Sequence, residues 1–130
     1  MIIDQRVLVA DDDRELRAGV CELFRGWNFQ ILQAETGTEA LEILRGTRLS
    51  LALLDMHMPG HTGLELLSVI RQETLGVPCI FLSGDATEAV RVMAVREGAL
   101  AVFKKPVEPA VLRAEVRRVL QLDEPPHMRH

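Results

Sequence analysis

The chain has 130 residues, 48% hydrophobic and 26% charged, which suits one globular domain with a single buried core and leaves no room for a second. Nineteen acidic residues against fifteen Lys and Arg set a formal charge of -4, and one Trp, four Phe and no Tyr make no stacking platform, so composition argues against direct nucleic-acid binding. Cys21 and Cys79 are far apart and lack CxxC or Cys/His spacing, which argues against a disulfide or structural zinc and for free thiols in a reducing cytoplasm. Without a leader-like N-terminus or a segment of membrane-spanning length, the expectation is a soluble, cytoplasmic protein.

Short apolar runs alternate with helix-period segments from the start. Arg6 to Ala10 reads as the first strand and is followed by Asp11-Asp12-Asp13, with Asp13 placed to cap a helix that carries Leu16, Val20, Leu23 and Phe24 and ends near Gly26. Phe29 to Gln33 is a second strand. Thr36 and Glu39 have capping-box spacing ahead of Ala40, Leu41 and Leu44, and Gly46 marks the stop of helix two. Leu49 to Leu54, apolar on both faces, is a central third strand ending at Asp55. After the Pro59–Gly63 loop, Leu64, Leu67 and Ile70 form the stripe of helix three, and Pro78 to Leu82 is strand four.

Asp85, with Glu88 three positions on, reads as the start of helix four, which runs through Val92 and Val95 to Gly98. Leu100 to Phe103 is the last strand. Pro106 closes it, and Pro109 opens a fifth helix carrying Leu112, Val116, Val119 and Leu120. The domain is therefore expected over residues 1–122, with 123–130, which contains Pro125-Pro126, a flexible tail or the start of a linker.

Five βα units imply a doubly wound, five-stranded parallel sheet of flavodoxin-like α/β class, and right-handed crossovers favour the strand order 2-1-3-4-5. Ligand sites in such sheets lie outside the carboxyl ends of the strands. That topology brings Asp11 and Asp12 beside Asp55. Unit charges about 4 Å apart repel by roughly 4 kcal/mol at an effective dielectric near 20, so three clustered carboxylates call for a cation. An all-oxygen set matches Mg2+. Ser83 and Lys105, at the ends of strands four and five, complete what phosphoryl transfer to a carboxylate nucleophile requires.

These residues resemble the receiver domain of two-component response regulators over roughly Arg6 to Leu122. The resemblance rests on Asp11-Asp12, on Asp55 with the Met-Pro-Gly-x-x-Gly run from Met58 to Gly63, on Ser83-Gly84 and on Lys105-Pro106. It implies a CheY-like signalling switch that catalyses its own phosphorylation and dephosphorylation. Asp55 would be the phosphoacceptor, with a histidine kinase or histidine phosphotransfer protein as donor. Asp12 would ligate Mg2+ directly, Asp11 mainly through water, and His57 through its backbone carbonyl. Ser83 and Lys105 would contact the aspartyl phosphate, Gly84 would keep the site accessible, and a cis bond would join Lys105 to Pro106. The side chains of His57 and Asp85 would flank the phosphoryl group and tune its hydrolysis.

The chain departs from the family at Val102, where many receivers carry a Tyr or Phe as a rotating switch. Phe103 should face the other side of its strand. Output is then expected to rely on the Ser83 loop and helix four, through a surface of helix four, strand five and helix five with Arg91, Arg96, Lys104 and Arg113 exposed. The target would be a separate protein, a fused effector or a second copy in a phosphorylation-dependent dimer. Three other readings compete. A haloacid-dehalogenase-like phosphatase wants an acid two positions after its nucleophile, where this chain has His57. A pseudo-receiver need not retain the site residues. A transition-metal site at Asp55, His57 and His61 lacks defined geometry in a Gly/Pro loop.

Overall fold

Alternating apolar runs and amphipathic segments build five strands and five helices in strict βα order: β1 Arg6–Ala10, α1 Arg14–Leu23, β2 Gln30–Ala34, α2 Gly37–Gly46, β3 Leu51–Asp55, α3 Gly63–Gln72, β4 Cys79–Ser83, α4 Glu88–Arg96, β5 Ala101–Lys104 and α5 Pro109–Leu120. The computed structural model describes residues 5–122, so the tail or linker expected at 123–130 lies outside the described residues. All pairings are parallel, in the order β2-β1-β3-β4-β5. This is the doubly wound, flavodoxin-like sheet that the βα alternation predicts.

The strands are apolar on both faces because each feeds two cores. Side chains alternate across a strand: Leu8, Ala52, Leu54, Phe81 and Val102 pack with Ala40, Leu44, Leu66, Leu67, Ile70 and Ala94 of α2, α3 and α4. Val7, Val9, Leu51, Leu53, Ile80 and Leu82 pack with Val20 of α1, with Phe24 just after it, and with Leu112, Val116 and Leu120 of α5. Phe103 joins this second core while Val102 joins the first, so the two point to opposite faces as expected. Cys79 is buried in the first core, where burial pushes its thiol up to about 12 and leaves it a neutral packing group.

Several boundaries differ from the apolar runs. Strands β2 to β5 each begin one residue later than the apolar run, two for β3, and end one residue later, because the hydrogen-bond ladder continues past the run: Asp55 pairs in register with Leu82, and Ser83 with Lys104. Helix α1 ends at Leu23, and the chain then turns through a cluster of Phe24, Trp27 and Phe29, with ring centroids 4.9–6.3 Å apart. On α3 the buried apolar side chains are Leu66, Leu67 and Ile70, with Leu64 only partly covered.

Helix α4 starts at Glu88, not at Asp85. The Thr87 hydroxyl accepts the Val90 N–H, while the Asp85 carboxylate is engaged by Ser83. Ala94 alone of this helix is buried; Val92 and Val95 are 43% and 54% exposed. Arg91, Arg96 and Lys104 are exposed as expected, whereas Arg113 is half-buried on α5.

Candidate functional site

The carboxyl ends of β1, β3, β4 and β5 meet in one crevice. Asp11 follows β1 and stays in register with the sheet through its N–H, which donates to the Ala34 carbonyl at 3.0 Å. Its side chain is buried, and Oδ1 accepts the Asp13 N–H at 2.9 Å, while Asp13 caps α1. Asp55 closes β3, is also buried, and accepts the His57 N–H at 3.3 Å. Asp12 is exposed at the rim. One carboxylate oxygen from each of the three acids lies within 4.8 Å of the others. This cluster, among the described residues, contains no histidine, so the Asp55, His57 and His61 alternative has no geometric support.

Lys105 is the counter-ion. Its ammonium stands 2.7 Å from Asp11 Oδ2 and 3.3 Å from Asp55 Oδ1. Its backbone N–H donates to the Ser83 carbonyl at 2.8 Å, which ties the ends of β4 and β5 together, and the bond from Lys105 to Pro106 is cis. Burial pushes the Asp55 carboxyl above its ordinary range and Asp11 adds to the rise, with Lys105 and the His57 N–H opposing. For Lys105, burial opposes the charged form, but its contacts with Asp11 and Asp55 win and hold the ammonium above its ordinary value.

Ser83 is fully buried at the end of β4 and donates its hydroxyl to Asp85 Oδ1 at 2.6 Å. Asp85 Oδ1 lies 3.6 Å from His57 Nε2, so the two residues expected to flank the site do meet, at its exposed mouth. A Cβ added at Gly84 would meet no atom within 4 Å; the backbone after Ser83 borders open space.

Two features escaped the sequence reading. Arg17 is buried on α1; its Nη1 donates to the Asp11 carbonyl at 2.6 Å and its Nε to Gln33 Oε1 at 3.3 Å, clamping the acidic loop to β2. The signal was available: Arg17 shares helical spacing with Val20 and Phe24, so a cation sits on the buried face beside an acidic turn. The loop carrying His57 is also gripped from both sides. The Gly37 N–H donates to the Pro59 carbonyl at 2.8 Å, and a Cβ at Gly37 would collide with the His61 carbonyl. At Gly63, which opens α3, a Cβ would stand 2.6 Å from the Asp55 carbonyl. Both positions require glycine because backbone approaches backbone.

The donor set is one for a hard cation. All side-chain ligands on offer are carboxylate oxygens, and Asp11 Oδ2, buried, meets no donor among the described residues other than the Lys105 ammonium.

Comparison with known proteins agrees with this geometry. The family described as the response regulator receiver domain matches residues 7–117. The DNA-binding response regulator MtrA of Mycolicibacterium paratuberculosis is 36% identical over 126 residues, which are 95% of this chain and 56% of that protein. The chain thus spans about half the length of such relatives. A CheY-like receiver domain protein from Methanospirillum hungatei superposes with a TM-score of 0.82 at 27% identity, over 90% of this chain and 94% of that one. A CheX-CheY-BeF3-Mg+2 complex from Borrelia burgdorferi gives a TM-score of 0.83 at 25% identity, over 91% and 90%.

Proposed function

Since this chain belongs to the response regulator receiver domain family, we propose that Asp55 is the phosphoacceptor of a two-component signalling switch. The observation that carries this is the position of the Asp55 carboxylate: at the end of β3, beside Asp11 and Asp12, with the Lys105 ammonium 3.3 Å away. Burial and Asp11 raise the Asp55 carboxyl, while the Lys105 ammonium and the His57 N–H favour its charged form and hold it for attack on a phosphorus atom. Transfer forms the Asp55–phosphorus bond and breaks the bond to the donor, an imidazole nitrogen of a histidine kinase or phosphotransfer protein. Lys105 turns from the carboxylates to the new phosphoryl oxygens, and Ser83 offers its hydroxyl to another.

Asp11, Asp12, Asp55 and the backbone carbonyl of His57 are the groups that would hold Mg2+, and the buried Asp11 Oδ2 fits that role. When bound, the ion supplies charge neutralisation to the acids and polarisation to phosphoryl oxygens. His57 and Asp85, exposed at the mouth, are placed to meet water approaching the phosphoryl group and so to set its lifetime.

The surface read by a target is α4, β5 and α5. Its apolar patch, with Val92, Met93 and Val95 exposed beside Arg91 and Arg96, suits a protein partner, a fused effector or a second copy of the chain. MtrA carries the words DNA-binding in its name and is nearly twice as long; a DNA-binding effector attached to this receiver fits that relative, while the acidic domain itself is not the DNA-binding part. Among the described residues no helix is long and apolar enough to cross a membrane, and a cytoplasmic kinase donor fits the two free thiols.

The test is incubation with magnesium and acetyl phosphate, followed by intact mass. The expected result is an adduct of about 80 Da that Asp55→Asn and chelation both abolish. Persistence of the adduct in Asp55→Asn overturns the assignment. Steady turnover of diverse phosphomonoesters would support a phosphatase instead.

A further inference from the structure

A buried hydroxyl must find an acceptor, and it has one proton to give. In Ser83 that proton goes to Asp85 Oδ1 at 2.6 Å, and the Asp85 N–H returns a bond to Ser83 Oγ at 3.3 Å. The acceptor is a carboxylate, so the bond is charge-assisted and stronger than one between neutral groups. Asp85 is itself exposed, on the loop between β4 and α4, and faces His57 from the loop after β3. Ser83, Asp85 and His57 therefore run from the floor of the crevice to its rim.

We propose that Asp85 is a positioning residue that holds the Ser83 hydroxyl away from Asp55, so that a phosphoryl group on Asp55 must take the Ser83 proton from Asp85 before the switch is made. This deepens the phosphoacceptor reading and rests on it. Asp85 here acts through Ser83, by occupying its single donor, rather than on the anion.

The competition has a structural consequence. Thr87, two residues beyond Asp85, caps α4, and Arg91 of that helix donates its Nε to the Ala86 carbonyl at 3.2 Å. Release of Asp85 therefore acts on a segment tied directly to the first turn of α4. That helix buries Ala94 alone, so few core contacts resist its displacement.

The probe is beryllofluoride with magnesium, the anion and cation of the Borrelia burgdorferi complex, titrated calorimetrically into the full chain. Asp85→Ala is expected to bind the anion roughly fivefold to tenfold tighter than the unaltered protein, the effect of removing one competing hydrogen bond. In a Ser83→Ala background the same substitution is expected to change nothing, because there is no hydroxyl to release. Asp85→Asn, which keeps an acceptor oxygen, should lie nearer the unaltered protein than Asp85→Ala does. No gain in Asp85→Ala overturns the proposal. An equal gain in both backgrounds also overturns it, since Asp85 would then act on the anion by charge alone. A failure of the unaltered protein to bind the probe, or equal binding by Asp55→Asn, overturns the phosphoacceptor reading and the proposal with it.

Discussion

Asp55 and Asp85 each stand at or just beyond the end of a strand, and their surroundings drive them in opposite directions. Burial and the Asp11 charge raise the Asp55 carboxyl, whereas the Ser83 hydroxyl, helped by His57, lowers that of Asp85. Around Asp55 the protein is a rigid clamp: Arg17 holds the Asp11 backbone, Lys105 spans two acids, and Gly37 and Gly63 pack backbone on backbone. Around Asp85 it is an exposed loop leading to a helix with one buried residue. The first region is built to keep charges in place, and the second has little that opposes movement. A switch needs both, since chemistry requires fixed geometry and signalling requires a part that can change.

That division can be broken by substitution. The largest effect is expected beside the Asp55 clamp, where Leu66→Ala removes a fully buried side chain of α3, the helix that Gly63 opens, and should lower stability by about 3–4 kcal/mol. Urea unfolding followed through the buried Trp27 measures it. Next comes Lys105→Met, which leaves Asp11 and Asp55 without their counter-ion and should lower stability by about 2–3 kcal/mol at pH 7. That loss should shrink as pH falls and Asp55, whose folded pKa is raised, takes up a proton; a loss that does not change with pH would show that the Asp55 pair contributes nothing.

Asp55→Asn should change stability in the opposite sense. A carboxyl whose folded pKa lies above its unfolded value of about 3.9 favours the native state only while protonated, and that contribution is lost as pH rises through the folded value. At pH 7 the charged form is therefore a burden, and the Asn variant should be the more stable, with its advantage falling as pH drops toward 4. A variant less stable than the parent at pH 7 would mean that the Lys105 pair outweighs burial. The smallest effect is expected on α4: Val95→Ala, at an exposed site, should alter stability by no more than ~0.5 kcal/mol. A large loss there would show that α4 is as firmly packed as α3 and would erase the contrast.

Much of the site was readable because the fold converts strand order into spatial order. Asp11, Asp55, Ser83 and Lys105 are far apart in the chain, but each follows or closes an apolar run. A parallel sheet in the order 2-1-3-4-5 brings all such ends to one edge. The opposite facing of Val102 and Phe103 followed from strand alternation alone. The start of α4 was misread because Asp85 and Thr87 are both competent caps, and only the nearness of Ser83 decides which one is engaged elsewhere.

The sequence by itself thus determined the alternation of elements, the class of sheet and the identity of the acids at its edge, since periodicity and local chemistry are written residue by residue. The tertiary structure alone decided which partners those groups take. Lys105 bridges Asp11 and Asp55, Arg17 reaches back to the Asp11 carbonyl, Ser83 is held by Asp85, and Val92 and Val95 are left uncovered. Each of these depends on side chains from separate elements arriving at one place, and burial or pairing of that kind is a property of the packed molecule that no single segment carries.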